Sequence, residues 1–139
     1  MDEKSLTDYI TNTFAGVETT TNLSYTFFFY GSERMLPFAT IASTGNAYEQ
    51  VSRLDRPGVF RLNIGVSKPT FQSLFGTGKV AVAAYDFTAL DTLMPHPEYA
   101  AQSWLCVLNP SAATLQTLQP LLHEAYELAV KRANRRKTS

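Results

Sequence analysis

The stretch RPGVFRLNIGVSK, residues 56–68, determines how the rest of the sequence is interpreted. Between its Pro-Gly turn and its Ser-Lys end, apolar residues alternate with polar or small ones. Side chains of a β-strand point alternately to opposite faces, so the alternation predicts a half-buried strand. One predicted face carries Phe60, Leu62, Ile64 and Val66, and the other carries Arg61, Asn63 and Gly65.

Three other segments have the composition of strands. Residues 23–31 and 36–43 are rich in aromatic and β-branched residues, and a polar segment containing Gly31 separates them, which predicts a hairpin. Residues 103–109, SWLCVLN, form a strongly apolar run that predicts a further strand.

Helices are predicted at both ends of the chain and after the central strand. Residues 5–14 place apolar residues at helical spacing, and Ser67 can cap a helix over 68–75 that ends before Gly76. A long apolar stripe begins after Ser111 and continues to the basic tail. Since proline disrupts a helix interior, we expect that helix to kink at Pro120 or to restart from Thr117.

The region between the second helix and the last strand is less regular. Residues 76–85 fit either a short strand or an extended excursion, and residues 86–94 predict one or two helical turns capped by Asp86. The predicted order is α-β3-α-β2-α, an α+β fold. Short connections favour a mostly antiparallel sheet in a two-layer domain, with helices on one face. We expect residues 1–139 to form a single domain.

The charge distribution restricts the possible partners. The chain has a formal net charge of zero, but five of its twelve basic residues lie in the tail, about 131–139, and residues 1–130 carry a net charge of −5. Only this tail could bind a nucleic-acid backbone, which requires basic side chains. A solvated helix end is the favoured interpretation. The residues concerned are Lys131, Arg132, Arg135, Arg136 and Lys137.

Several chemistries lack the residues that they require. Two histidines and the single Cys106 offer no metal-binding spacing and no internal disulfide. The sequence contains no P-loop, dinucleotide fingerprint or G-x-S-x-G motif, so no cofactor and no catalytic residue is assigned. The polar start and the lack of a long apolar run favour a soluble, cytoplasmic protein without a membrane segment.

An arginine-rich segment is the first candidate binding site. Arg53, Asp55, Arg56 and Arg61 lie within nine positions, with Asn63 two residues further on. Guanidinium groups near a strand could clamp a carboxylate or a phosphate. The alternative, which we favour, is a turn in which Asp55 accepts backbone hydrogen bonds and pairs with an arginine.

The second candidate is the segment MPHPEYAAQSW, residues 94–104. Two prolines flank His96 and restrict its backbone, which would help a general acid or base keep its position. A lone histidine without an evident orienting partner is more often a loop residue. Tyr99 and Trp104 are interpreted as core or interface anchors rather than as stacking platforms.

Two strands are apolar on both faces. The runs FFFY, 27–30, and WLCVL, 104–108, exceed what a two-layer domain needs, because such a domain buries one face of its sheet. A homodimer interface or a ligand groove would cover the second face. Alternatively, loops or the amino-terminal helix fold over it.

Four features also give the chain a family resemblance: TNTFAGVE at 11–18, FRLNIGVSKPTFQSLF at 60–75, LLHEAYELAV at 121–130, and Pro95 nine positions before Trp104. In these it resembles the MmcQ/YjbR-like, or double-wing, proteins. The resemblance implies the α-β3-α-β2-α order and a DNA-binding role. Double-wing relatives carry two histidines where this chain has Ser103 and Glu98, so functions tied to those histidines do not transfer.

A second likeness is closer. The chain resembles an uncharacterised bacterial family of unknown function, whose members share FFFY, LPFAT, LDRPGVFRLNIGVSK and MPHP. This resemblance implies no activity. Three hypotheses follow, in order of preference: a non-enzymatic interaction module that forms a homodimer, a nucleic-acid binder using the tail and the arginine group, and a small-molecule-binding protein or enzyme with Arg56, Arg61, His96 and Tyr99 around a cleft.

Overall fold

A computed structural model describes residues 1–32, 35–47 and 49–138, with the backbone alone for 137 and 138. The fold is α+β, as predicted. Its helices and strands are α1 (Glu3–Thr13), β1 (Val17–Asn22), β2 (Tyr25–Tyr30), β3 (Ala39–Ala42), β4 (Arg61–Gly65), α2 (Lys68–Phe75), β5 (Met94–Pro95), β6 (Trp104–Leu108) and α3 (Ala112–Thr138). Short 3₁₀ turns occur at Val82–Ala84 and Ala100–Gln102.

The strands form one antiparallel sheet in the order β1-β2-β3-β4-β6-β5. The first strand was not predicted, because VETTTN is polar and exposed and shows no apolar alternation. It pairs with β2 through a two-residue turn at Leu23 and Ser24, whose φ angles are 53° and 65°. Two consecutive positive φ angles are typical of the hairpin turn that matches strand twist.

Helices cover one face of the sheet, as predicted. Leu62 and Ile64 of β4 and Phe28 of β2 contribute to this core. The helices contribute buried apolar residues to the same cluster: Leu6 and Ile10 of α1, Phe71 of α2, and Leu118, Leu122 and Ala125 of α3. Their burial supplies the main driving force for packing the two layers together.

The last helix does not restart from Thr117, which was one of its two predicted alternatives. Instead, α3 is a single helix from Ala112 to Thr138, and its Pro120 is exposed. Ser111 caps it, since its hydroxyl accepts a hydrogen bond from the Thr114 amide at 3.2 Å. Leucines just before and after the proline face the core, so packing maintains a helix that local propensity disfavours.

Loops cover much of the other face. The loop between β3 and β4 contributes Leu54 and Val59, which pack with Phe87 from the 86–94 segment and with Cys106 and Leu108 of β6. The loop alternative to a dimer or a groove is therefore correct over β4 and β6. The expected helix at 86–94 is wrong: Asp86 accepts hydrogen bonds from the Thr88 amide and hydroxyl, but only a turn follows.

Candidate functional site

The predicted arginine group is divided between the surface and the interior. Arg53 and Asp55 form an exposed ion pair with a nitrogen-oxygen distance of 3.2 Å, and the hydrogen bond from Arg53 lowers the pKa of Asp55. Arg56 donates hydrogen bonds to the carbonyl oxygens of Ser52 and Thr88, which joins the β3–β4 loop to the 86–94 segment. These three residues form the turn that was the favoured interpretation.

Arg61 belongs to a buried network on the helix-free face. Its side chain is 2% exposed, and its guanidinium donates to the Glu49 carboxylate at 2.9 Å and to the Asn63 amide oxygen at 2.9 Å. Asn63 in turn donates to the Thr40 hydroxyl at 3.0 Å, while the backbone amides of Val51 and Ser52 donate to Glu49. The network satisfies two opposite charges inside the protein.

His96 is an internal residue that shapes the following turn. Its Nδ1 accepts hydrogen bonds from the backbone amides of Glu98 and Tyr99, both at 3.0 Å. An Nδ1 that accepts leaves the ring proton on Nε2, so the ring is neutral. Burial, together with the positive charge of Arg61, lowers the pKa of His96 to about 3. With so low a pKa, the ring is a weak general base at physiological pH, and two backbone amides already use its Nδ1.

The two aromatic candidates lie beside this histidine. The ring centroid of Tyr99 is 4.9 Å from that of His96, and half of the Tyr99 side chain is exposed. Trp104 lies over Gly65 of the neighbouring strand, where a Cβ atom would be only 2.7 Å from its ring. The tryptophan thus requires glycine at position 65, which identifies it as a packing anchor of the sheet.

A groove of about 440 Å³ lies between α2, the 76–82 loop and the 97–103 turn. This volume falls within the range of small-molecule sites, roughly 300–1,000 Å³. None of the predicted binding residues lines it. Its apolar lining consists of Phe71, Val80, Val82, Pro97, Ala100 and Ala101.

Three ionisable residues border the groove: Lys68 at the start of α2, Lys79 in the 76–82 loop, and Glu98 in the 97–103 turn. The lining therefore combines two positive charges, one negative charge and several apolar residues. Both lysines are exposed, so they can extend toward a ligand. The arrangement matches a molecule with an apolar body and an anionic end.

The first wall, α2, is held by a carboxylate from α3. Glu124 accepts a hydrogen bond from the Ser67 amide at 2.7 Å and one from the Thr70 hydroxyl at 2.6 Å. Burial of Glu124 raises its pKa, but these hydrogen bonds outweigh burial and the net pKa is lowered. A carboxylate at a helix N-terminus stabilises the helix, so Glu124 holds the start of α2 in place.

The second wall depends on the backbone of Ser103. Its carbonyl oxygen accepts a hydrogen bond from the Val66 amide at 3.1 Å, and its φ angle is 68°. The side chain is only 9% exposed and lines the groove, and no described residue hydrogen-bonds its hydroxyl. A left-handed serine is uncommon and costs free energy, and such strain is concentrated at functional positions.

The sequence analysis did not identify Lys79 or Ser103 as site residues. Ser103 and Glu98 entered the sequence analysis only through the double-wing resemblance, and both line the groove. Lys79 has no comparable signal, because it lies in a loop without regular structure. Lys68 and Glu98 lie 30 positions apart in the chain, so no local pattern connects them.

The basic tail forms the last turns of α3. Lys131, Arg135 and Arg136 are exposed and Arg132 is partly buried, while the side chain of Lys137 lies outside the described residues. Among the described residues, no group of three or more His, Cys, Asp or Glu residues could hold a metal ion. The described helices also include none that is both long and apolar enough to cross a membrane.

Comparison with known proteins identifies the family. The chain belongs to a family of unknown function, DUF6194, whose model matches residues 1–138. No curated protein and no solved structure matches it. The expected membership of an uncharacterised family is therefore correct, and nothing in these comparisons links the chain to the double-wing proteins.

Proposed function

We propose that this protein is a non-enzymatic binding module that takes a small amphipathic anion in the groove between α2, the 76–82 loop and the 97–103 turn. The combination of an apolar lining, two lysines and the Ser103 hydroxyl carries this proposal. Apolar contact would supply most of the affinity, and the lysines and the hydroxyl would orient the anionic end.

The same structure argues against chemistry at the residues first suspected. His96 is held neutral by two backbone amides, and the cation nearest to it, Arg61, is paired with Glu49. The groove itself offers lysines, a serine and one glutamate, and no described residue activates the serine hydroxyl as a base would. These observations favour binding over catalysis.

Thermal unfolding with a matched ligand pair tests the proposal. Octanoate has an apolar chain and a carboxylate, whereas 1-octanol has the same chain without the charge. We expect octanoate to raise the melting temperature progressively, with the logarithm of its concentration above the dissociation constant, since a ligand that binds only the native state stabilises it. Octanol should raise it much less. Equal effects of the two compounds, or no effect of octanoate, would contradict the proposal.

Variants of the groove give a second test by calorimetry. We expect Lys79→Gln to weaken octanoate binding about tenfold, because a charge-assisted hydrogen bond contributes roughly 1.5–3 kcal/mol. Ser103→Gly removes the hydroxyl and suits the positive φ angle, so it should weaken binding without lowering stability. Lys131→Gln is the matched control, because Lys131 is exposed outside the groove. Unchanged binding in Lys79→Gln would contradict an anion site.

Nucleic-acid binding remains a prediction, as does the double-wing relationship that implies it. The arginine group offers a smaller phosphate surface than expected, since Arg61 is buried and Arg53 is paired with Asp55. The end of α3 is the densest basic segment among the described residues. A salt titration with random duplex DNA tests this, because phosphate contacts make affinity fall steeply with salt. A cytoplasmic location also remains a prediction.

A further inference from the structure

The two edges of the sheet are built differently. At one edge, β5 has two residues and ends in Pro95, and both are buried. At the other edge, β1 has six residues, of which the last five are exposed, and β2 is its only partner in the described part of the chain. The first edge is therefore short and covered, and the second offers a long row of backbone groups.

The hydrogen-bond pattern shows which groups are available. The Gly31 amide donates to the Gly16 carbonyl oxygen at 2.7 Å, so this pair exchanges hydrogen bonds in the ladder of β1 and β2. In an antiparallel pair, every second residue points its N–H and C=O toward the partner strand. The remaining residues of β1, which are Val17, Thr19 and Thr21, point theirs outward.

Within the described residues, this edge has little of the usual protection against pairing. Protected edges carry proline, several charges or a bulge, or are covered by a helix or a loop. The β1 sequence VETTTN has no proline and one charge, Glu18, and its register with β2 is continuous from Val17 to Asn22. Threonine and valine favour the extended conformation.

We propose that β1 pairs with β1 of a second copy of this chain, antiparallel, with Thr19 on the two-fold axis. Val17 then lies opposite the partner's Thr21, and Thr19 lies opposite the partner's Thr19. All the outward N–H and C=O groups of the three residues are satisfied across the interface. The two sheets become one continuous sheet.

Self-complementarity identifies the partner as a second copy. The three outward residues are symmetric about Thr19, so one operation satisfies both strands, as a two-fold interface requires. In this register Glu18 lies opposite the partner's Thr20, so the carboxylates of the two copies are not directly paired. No residue of β1 lines the groove, and the dimer therefore does not depend on the proposed ligand site.

Size-exclusion chromatography with light scattering tests the assembly. At a protein concentration of about 100 µM, well above a micromolar dissociation constant, we expect the measured mass to be twice the 15.4 kDa of one chain. Thr19→Pro should give a monomer with an unchanged circular dichroism spectrum, because that N–H points away from β2. Thr20→Pro is the matched control: its N–H belongs to the ladder with β2, so it should lower the melting temperature.

Cysteine cross-linking tests the register. Opposed residues of a hydrogen-bonded antiparallel pair have Cα atoms about 5.5 Å apart, within disulfide range. Thr19→Cys should therefore form a covalent dimer under mild oxidation. In Thr21→Cys the two Cα atoms would be about 14 Å apart, so no disulfide should form. The native thiol, Cys106, is buried and does not interfere.

Each result bears on the proposal. A wild-type monomer at this concentration, or a dimer that survives in Thr19→Pro, would overturn it. A dimeric Thr19→Cys variant that does not cross-link, or a Thr21→Cys variant that cross-links as readily, would show that a different register or surface is used. Octanoate binding by a wild-type monomer would leave the groove proposal standing while this one falls.

Discussion

The two faces of the same sheet are buried in different ways. On one face, helices bring leucines and aromatic rings against β4, which contributes Leu62 and Ile64. On the other face, the β3–β4 loop brings Glu49 against the same strand, which contributes Arg61 and Asn63. One strand therefore serves an apolar core and a polar network. Alternation along a strand shows that two environments exist, but not that both are buried.

The two environments contribute differently to stability. Apolar burial is favourable for each group independently, at about 25 cal/mol per Å² removed from water. A buried ion pair must recover the desolvation of both charges, so its net contribution is small while both partners are present. The polar face is consequently more sensitive to the loss of a single partner.

The largest expected effect is the removal of one charge from the polar face. Arg61→Met leaves the Glu49 carboxylate buried without its cation, so we expect the free energy of unfolding to fall by about 3–5 kcal/mol. Urea denaturation measures this change. The double variant Glu49→Gln with Arg61→Met should regain most of the stability. A double variant as unstable as the single one would show that the charge is not the cause.

A cavity on the apolar face should cost somewhat less. Leu62 is fully buried between the sheet and the helices, and Leu62→Ala should lower the free energy of unfolding by about 3 kcal/mol in the same assay. Leu62→Met conserves the volume and is the control, with an expected loss below about 1.5 kcal/mol. Similar losses in the two variants would indicate that this face is not tightly packed.

The pH dependence of stability distinguishes the faces again. The pKa of His96 falls from 6.5 to about 3 on folding, so the unfolded chain binds a proton that the folded one does not. His96 therefore makes a contribution to the free energy of unfolding that is present above pH 6.5. This contribution is lost as the pH falls toward 3, by about 1.4 kcal/mol per pH unit. Urea denaturation between pH 6.5 and 4 measures the slope.

His96→Asn tests this assignment, because its side-chain oxygen can still accept from the backbone while no group titrates. We expect it to remove the His96 contribution to the slope. His123→Asn, which changes an exposed residue of α3, should keep that contribution. An equally steep slope in His96→Asn would contradict the assignment.

The smallest effect concerns the thiol of the loop-covered face. Burial raises the pKa of Cys106 to about 12, and its Sγ lies 3.7 Å from the Pro95 carbonyl oxygen. A disulfide reagent reacts only with a thiolate that it can reach. We therefore expect the reagent at pH 8 to modify Cys106 of the native protein no faster than the protein unfolds. Denaturant should make the reaction immediate. Rapid modification under native conditions would mean that the loops do not seal this face.

Local pattern predicts part of this fold well. The central strand, α2 with its Ser67 cap, and β6 follow directly from alternation, capping and apolar runs, since each depends on neighbours in the chain. The first strand was missed because exposed threonines give no amphipathic signal. The helix expected at 86–94 failed because Asp86 caps a turn that packs Phe87 against the sheet instead.

The candidate site depends much less on local pattern. His96, Arg53 and Arg56 attracted attention because of their chemistry and spacing, and the structure uses them to hold loops together. Lys68, Lys79 and Ser103 share no local pattern that groups them in the sequence. They share one groove only because α2 and the turn before β6 converge at the same end of the sheet.

The three helices, most strands of the antiparallel sheet and the lack of familiar catalytic motifs were therefore readable from residue patterns, because periodicity and capping act over a few neighbouring positions. Tertiary packing alone decided three other features: the burial of Arg61 with Glu49, the open edge at β1 and the groove between α2 and the 97–103 turn. Each of them arises from segments far apart in the chain, whose relative positions depend on the packing of the whole domain rather than on any local pattern.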